Sequence, residues 1–360
     1  MLFDIRVCLR PLMAAGLCLL PCSTLFFLTP RAFAAEPQGL ALRQDRHGVT
    51  VEVAGGPFAA YVSDEANKPY LWPVIGPTGK AMTRAYPMQD LPDEPAAQRD
   101  HPHHRGITFG HESISGVDSW HDRSTFPKEA EGSPRLAALG RIVHREFCLL
   151  AIDGNKGVIE EVCDHLDPAG RPLLEERRRL TFRADQTTRS IDIDQEFSGL
   201  PNAGPVTFGD NKDAGLFVRV PTSMAVDATL GGRIINSDGL VDKAAWSRPA
   251  RWCDYHGPVA GEQLGIAMLN HPDSFRHPTR WHVRTYGLFA ANPFAQHGYD
   301  PALPDGTTTI KPGETLRLHH RILLHSGDEQ AGRIDAAWQQ YARERPQAIG
   351  TAVSLIPATP

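Results

Sequence analysis

The chain has 360 residues, 37 lysines and arginines against 42 aspartates and glutamates, a formal net charge of −5 and 41% hydrophobic residues. That balance supplies a sizeable core and excludes both intrinsic disorder and a basic nucleic-acid binder. Glycine (32) and proline (30) punctuate it densely, which favours many short strands and excludes a coiled coil.

Arg6 and Arg10 precede an apolar stretch from Leu12 to Leu28 that is interrupted by Pro21 and ended by Pro30, and Ala32-Phe33-Ala34 then offers small residues to a signal peptidase. Residues 1–34 therefore read as a cleaved signal, cut before Ala35, and the location as periplasmic or secreted. The stretch is too short and too proline-broken for stable membrane insertion, which takes about 20 apolar residues.

Residues 35–345 read as one domain. Strand patterns follow at Val49–Val53, Arg141–Ile152, Val158–His165, Leu173–Phe182, Ile191–Phe197, Leu216–Val220, Leu264–Leu269, Trp281–Phe289 and Thr315–His325, with Asp153-Gly154-Asn155 and Pro168-Ala169-Gly170 as hairpin turns. Between them, residues 69–128 are rich in Gly, Pro and His without periodicity and read as one long histidine-rich loop, of the kind that carries function. Near the end, Asp328 caps a predicted helix with Ile334, Trp338 and Tyr341 on one stripe, and residues 346–360 read as a flexible tail. The fold class is all-β, a large antiparallel β-sandwich with one C-terminal helix. Beyond the signal, Cys148, Cys163 and Cys253 form an odd set; Cys148 and Cys163 lie in adjacent strand patterns and suit a disulfide as well as they suit buried thiols.

The densest chemical signal is Asp100-His101-Pro102-His103-His104-Arg105-Gly106, followed by His111 and Trp120-His121-Asp122. Imidazoles so gathered relay protons near neutral pH or bind a divalent metal, for which His101, His103 and His111 are the candidate ligands, although no standard zinc spacing is present. His103 and His104 are candidate catalytic groups, with Arg105 and Trp120 for substrate. A second cluster, Phe208 to Gly215, sets Asp210 and Lys212 in a turn for charge stabilisation. A third holds His271 in Asn270-His271-Pro272, Asn292 in Asn292-Pro293-Phe294, and the run Trp281 to Gly287. There alternation sends His282, Arg284 and Tyr286 to one face and Trp281, Val283 and Thr285 to the other. His271 and His282 are candidates for proton transfer; Arg284, Tyr286, Asn292 and Trp281 for binding. Serine-hydrolase, NTPase and dinucleotide motifs are absent.

Pro69-Tyr70-Leu71-Trp72-Pro73-Val74 with Gly76-Pro77, the run Asp100 to Gly106, Trp120, Asn270-His271-Pro272, Trp281 to Gly287 and Asn292-Pro293-Phe294 together resemble a bacterial family labelled methane oxygenase PmoA over about residues 45–330. The resemblance implies a supersandwich similar to that of galactose mutarotases and an association with carbohydrate use. The expected function is a glycoside-cleaving hydrolase or lyase working by His/Asp acid-base catalysis on a small-molecule carbohydrate. The alternatives are a non-catalytic sugar-binding protein stacking sugars on Trp72, Trp120 and Trp281, or a metal-dependent oxygenase or lyase. Apart from that possible divalent metal, the sequence calls for no cofactor and no nucleic-acid partner.

Overall fold

A computed structural model describes residues 39–92 and 94–350; the predicted signal and most of the predicted tail lie outside the described residues. In chain order the strands are β1 (Leu40–Asp45), β2 (Gly48–Val53), β3 (Gly56–Val62), β4 (Tyr70–Val74), β5 (Ile107–His111), β6 (Arg141–Asp153), β7 (Lys156–Leu166), β8 (Pro172–Ala184) and β9 (Arg189–Gly199). They continue as β10 (Val206–Phe208), β11 (Ala214–Arg219), β12 (Arg233–Asn236), β13 (Trp252–Val259), β14 (Glu262–Asn270), β15 (Arg280–Val283), β16 (Leu288–Asn292), β17 (Thr308–Ile310) and β18 (Thr315–Ser326). One helical turn, α1 (Pro134–Ala137), and the C-terminal helix α2 (Ile334–Tyr341) complete the set. No helix among the described residues is long and apolar enough to cross a membrane.

Two eight-stranded antiparallel sheets result, the first in the order β1-β2-β3-β4-β5-β11-β16-β15 and the second in the order β12-β13-β14-β18-β9-β8-β7-β6. Alternation decides what lies between them. In β8, Leu174, Leu180 and Phe182 enter the core while Arg177, Arg179 and Arg183 alternate outward, and in β11 Leu216 and Val218 face in while Phe217 and Arg219 face out. The main core joins both sheets, from Val51, Phe58 and Trp281 on the first to Phe182, Ile266 and Ile322 on the second. The protein is thus an all-β sandwich.

Three local expectations are corrected. Residues 69–128 are not an unbroken loop: β4 and β5 lie within them as inner strands of the first sheet. The run Trp281–Phe289 is not one strand but a hairpin, β15 and β16, turned at Arg284–Gly287, where the Gly287 N–H meets the Arg284 carbonyl at 3.0 Å. The residue capping α2 is Arg333, in a left-handed conformation, while Asp328 organises the preceding turn by accepting the N–H of Gln330 and Ala331. Cys148, Cys163 and Cys253 are buried free thiols.

Candidate functional site

The site is built on the outer face of the first sheet. Thr108, Phe217, Ala290 and His282 stand directly opposite one another across β5, β11, β16 and β15. Phe217, Leu288 and Ala290 cluster with Trp120 to make a small apolar floor. Two turns of the histidine-rich segment close over it. In the first, Gly106 has φ +48° and passes so near β4 that a Cβ would lie 2.0 Å from the Leu71 carbonyl oxygen, so the chain turns from Arg105 into β5 only with glycine there. In the second, the Asp118 carboxylate accepts the backbone N–H of Trp120 at 2.9 Å and of His121 at 3.0 Å. Buried Lys68 donates to the carbonyls of Ser119 and Trp120 and fastens that turn to the sheet; burial, partly offset by Asp122 and Asp118, brings its ammonium down to about 8.

Asp100 is the hub. Arg84 and Arg219, both almost fully buried, donate to its Oδ1 at 2.7 and 2.6 Å, while His101 donates from Nδ1 to Oδ2 at 2.6 Å. Partial burial raises the Asp100 carboxyl, but the His101 hydrogen bond and the charges of Arg219, His101 and Arg84 outweigh it and hold the group down at about 2. A carboxylate only accepts, so His101 Nδ1 carries a proton, while its Nε2 has no hydrogen-bond partner among the described residues. The ring is 42% exposed and stacks parallel to Tyr286 at 5.2 Å and to His104 at 4.8 Å. A second pair of the same form stands nearby, His121 Nδ1 on Asp118 Oδ2 at 2.8 Å.

Between these pairs lie two buried imidazoles. The His103 ring is 4.2 Å from that of His104 and 4.6 Å from that of His121; its Nδ1 pairs with Thr125 Oγ1 at 2.9 Å and its buried Nε2 has no partner among the described residues. His104 Nδ1 faces the Arg219 guanidinium at 3.4 Å, which can only donate, so the His104 proton is on Nε2. Burial, with neighbouring imidazoles and Arg219, pushes both far below the ordinary imidazole range, and both are neutral at physiological pH. The site therefore pairs two carboxylate-oriented, solvent-reaching histidines with two neutral hydrogen-bonding ones. Arg105 joins it through Asp122 at 3.2 Å, and Arg284 and Tyr286 through the β15–β16 turn, with the Arg284 guanidinium 5.6 Å from the Tyr286 ring centre.

Other candidates have structural duties. The Asp210 carboxylate accepts four backbone N–H groups, from Gln296, His297, Gly298 and Gly306, and so anchors a loop. The Lys212 ammonium pairs with its neighbour Asp213, and its carbonyl receives His282 Nδ1 at 2.7 Å and Asn292 Nδ2 at 3.0 Å. His282, brought down to about 4 chiefly by burial, and Asn292 thus frame the 210–213 turn. His271 follows β14 of the second sheet, its Nε2 donating to the Glu344 carbonyl and its ring 6.2 Å from that of His319, apart from the histidines at 101–121. Trp281 is a core residue bonded to the Ala250 carbonyl, and Trp120 is buried against Phe217, so neither offers a face to a sugar. The metal set is not brought together: His111 turns inward between Phe208 and Phe294, and among the described residues His101, His103 and His111 do not gather their ring nitrogens at one point. The sequence reading missed Asp100, Arg84, Arg219, Asp118 and Lys68 as site residues. The one available signal was Arg219 itself, a lone charge in the apolar run Ala214 to Val220.

A family model, described as a family of unknown function (DUF6807), matches residues 48–339. The chain belongs to this family. The DUF6807 match carries no methane-oxygenase function, and that label is withdrawn. No curated protein matches. Among solved structures, the chain is similar to a galactose mutarotase-like protein from Clostridium acetobutylicum (10% identity, 80% of this chain and 98% of that one, TM-score 0.38). It is also similar to a galactose mutarotase-like protein from Lactobacillus casei (9% identity, 80% and 100%, TM-score 0.33). An α-galactosidase from Lactobacillus brevis aligns over 81% of this chain but only 40% of its own length, with 11% identity and a TM-score of 0.39. The activities in those names belong to those proteins.

Proposed function

We propose that this DUF6807 protein is an exported carbohydrate-active enzyme, a hydrolase or lyase that cleaves a glycoside by acid-base catalysis, with His101 as its base. The observation carrying this reading is the Asp100–His101 pair: an exposed imidazole, oriented at 2.6 Å by a carboxylate that two buried arginines keep ionised. His101 Nε2 takes a proton from the attacking water or from a carbon acidified by an adjoining carboxyl group. His121, oriented by Asp118, returns one from Nε2 to the departing glycosidic oxygen. The Nε2–H of neutral His104 and the guanidinium of Arg284 stabilise charge that develops on substrate oxygen, because a neutral imidazole still donates a hydrogen bond. Burial of Trp120 and Trp281 removes two of the stacking surfaces a passive sugar-binding protein would need.

The test is product formation followed by NMR on a panel of glycosides, uronides and 3-oxidised glycosides, with and without chelator, for the wild type and His101→Ala. Turnover that persists with chelator and vanishes in the variant supports the reading. Undiminished turnover in His101→Ala overturns it.

A further inference from the structure

The outer face of the second sheet holds a cavity of about 990 Å³, on the side of the sandwich opposite the histidine site. Its floor is β8, β9 and β18; α2 and the segment after it form one wall, and the β6–β7 and β8–β9 turns the other. The floor is polar and deep-set: Asp192, Asp194, Arg321 and Tyr341 are each more than nine-tenths buried. Arg321 donates to both Asp192 oxygens at 2.5 and 3.0 Å and to Glu344, and His319 donates to Asp194 at 2.7 Å. Two polar atoms there lack partners among the described residues, the Tyr341 hydroxyl and Arg179 Nε. Buried polar groups are normally satisfied, so these mark places for a ligand's donors and acceptors.

The lining also fixes the ligand's charge. Six basic side chains stand against five acidic ones and interleave with them on the floor, where Arg183 and Arg321 share Asp192 and Arg321 also takes Glu344. The lining side chains are mostly charged, hydroxyl and amide. What alternating guanidinium and carboxylate groups match is a neutral molecule whose vicinal hydroxyls both donate and accept. The volume lies at the upper end of ligand pockets, room for several linked rings. We infer that this groove is a second, non-catalytic site that binds a neutral oligosaccharide and holds the protein on a glycan chain. The inference does not depend on the acid-base reading of the first sheet.

The test is calorimetric titration of the full chain with maltohexaose, cellohexaose, xylohexaose and mannohexaose. Ala336, exposed on α2, lines the groove, and Ala336→Trp fills it from the helix side without entering the core; Arg183→Ala removes a donor from the floor and serves as a second probe. At least one hexasaccharide should bind to the wild type, with Kd raised tenfold or more in both variants and unchanged in His101→Ala. Absence of binding by all four at millimolar concentration, or equal affinity in wild type and Ala336→Trp, overturns the groove assignment. Loss of turnover in His101→Ala is read separately and bears only on the first site.

Discussion

His101 and Asp100 are adjacent in sequence and opposite in what their loss should do. The His101 ring is exposed and its removal leaves no cavity in the core, so His101→Ala should lower kcat by a factor of about 10²–10⁴ while changing stability by less than about 1 kcal/mol, as read by kinetics and thermal melts on one preparation. Asp100→Asn leaves Arg84 and Arg219 buried without their counter-charge, and should cost about 3–5 kcal/mol of stability as well as activity. Equal stability in the two variants would dismiss Asp100 as the hub. The place of this chemistry was legible: the run Asp100 to Gly106 stands out in any reading for histidine. Its wiring was not, because Arg219 reaches Asp100 from 119 residues away and nothing local announces the pairing. For the same reason Asp210 looked reactive, since its four backbone partners lie between residues 296 and 306.

Elements set where side chains meet, and the second sheet shows how strictly. His256, Gly265 and His325 stand in one row across β13, β14 and β18. Because Gly265 has no side chain, the His325 ring lies across it, with a hypothetical Cβ only 2.1 Å from Cε1, and reaches Asp254 at 2.9 Å, where His256 binds the other carboxylate oxygen at 2.7 Å. Gly332, just ahead of α2, covers the other side of the ring. Gly265→Ala should therefore expel the ring and cost about 1–3 kcal/mol. Burial lowers the His325 imidazole, but the charge and hydrogen bond of Asp254 outweigh that and hold it above its ordinary value. A raised value means stability fully present below about pH 6.5 and lost as pH rises through the folded value. The stability difference between wild type and His325→Gln should be largest at pH 6 and shrink towards pH 9 in denaturant titrations; a difference that grows with pH would reverse the assignment. The stripe Ile334, Trp338, Tyr341 made α2 readable from sequence. The β15–β16 hairpin was not readable, since Arg284-Thr285-Tyr286-Gly287 continues the alternation of the strands it separates.

For the whole molecule, the fold class was legible because alternation and turns recur along most of the chain, whereas β4 and β5 were hidden: each is five residues long, in a segment whose glycines, prolines and histidines conceal any period. What no local pattern discloses is how much ionisable chemistry the sandwich encloses. Between the sheets Arg178 binds Glu176 and the Tyr61 hydroxyl, Gln195 and His165 complete the Glu176 shell, and Glu161 takes His144. Five further imidazoles, His103, His104, His111, His282 and His320, are pushed down mainly by burial, His282 to about 4 and His111 and His320 to about 3. In the unfolded chain each takes up a proton near pH 6.5, which the native state refuses until far lower pH. Stability from these groups is thus complete above about pH 6.5 and lost as pH falls through the folded values, at up to about 1.4 kcal/mol per pH unit for each. The protein should lose stability steeply between pH 6.5 and 4.5, measured by denaturant titration at each pH. His320→Gln, whatever its absolute stability, should flatten that slope by about 1 kcal/mol per pH unit, because one refused proton has been removed. Parallel slopes in variant and wild type would mean that His320 takes its proton in the native state, and that the interior beside Asn270 is wetter than its full burial implies.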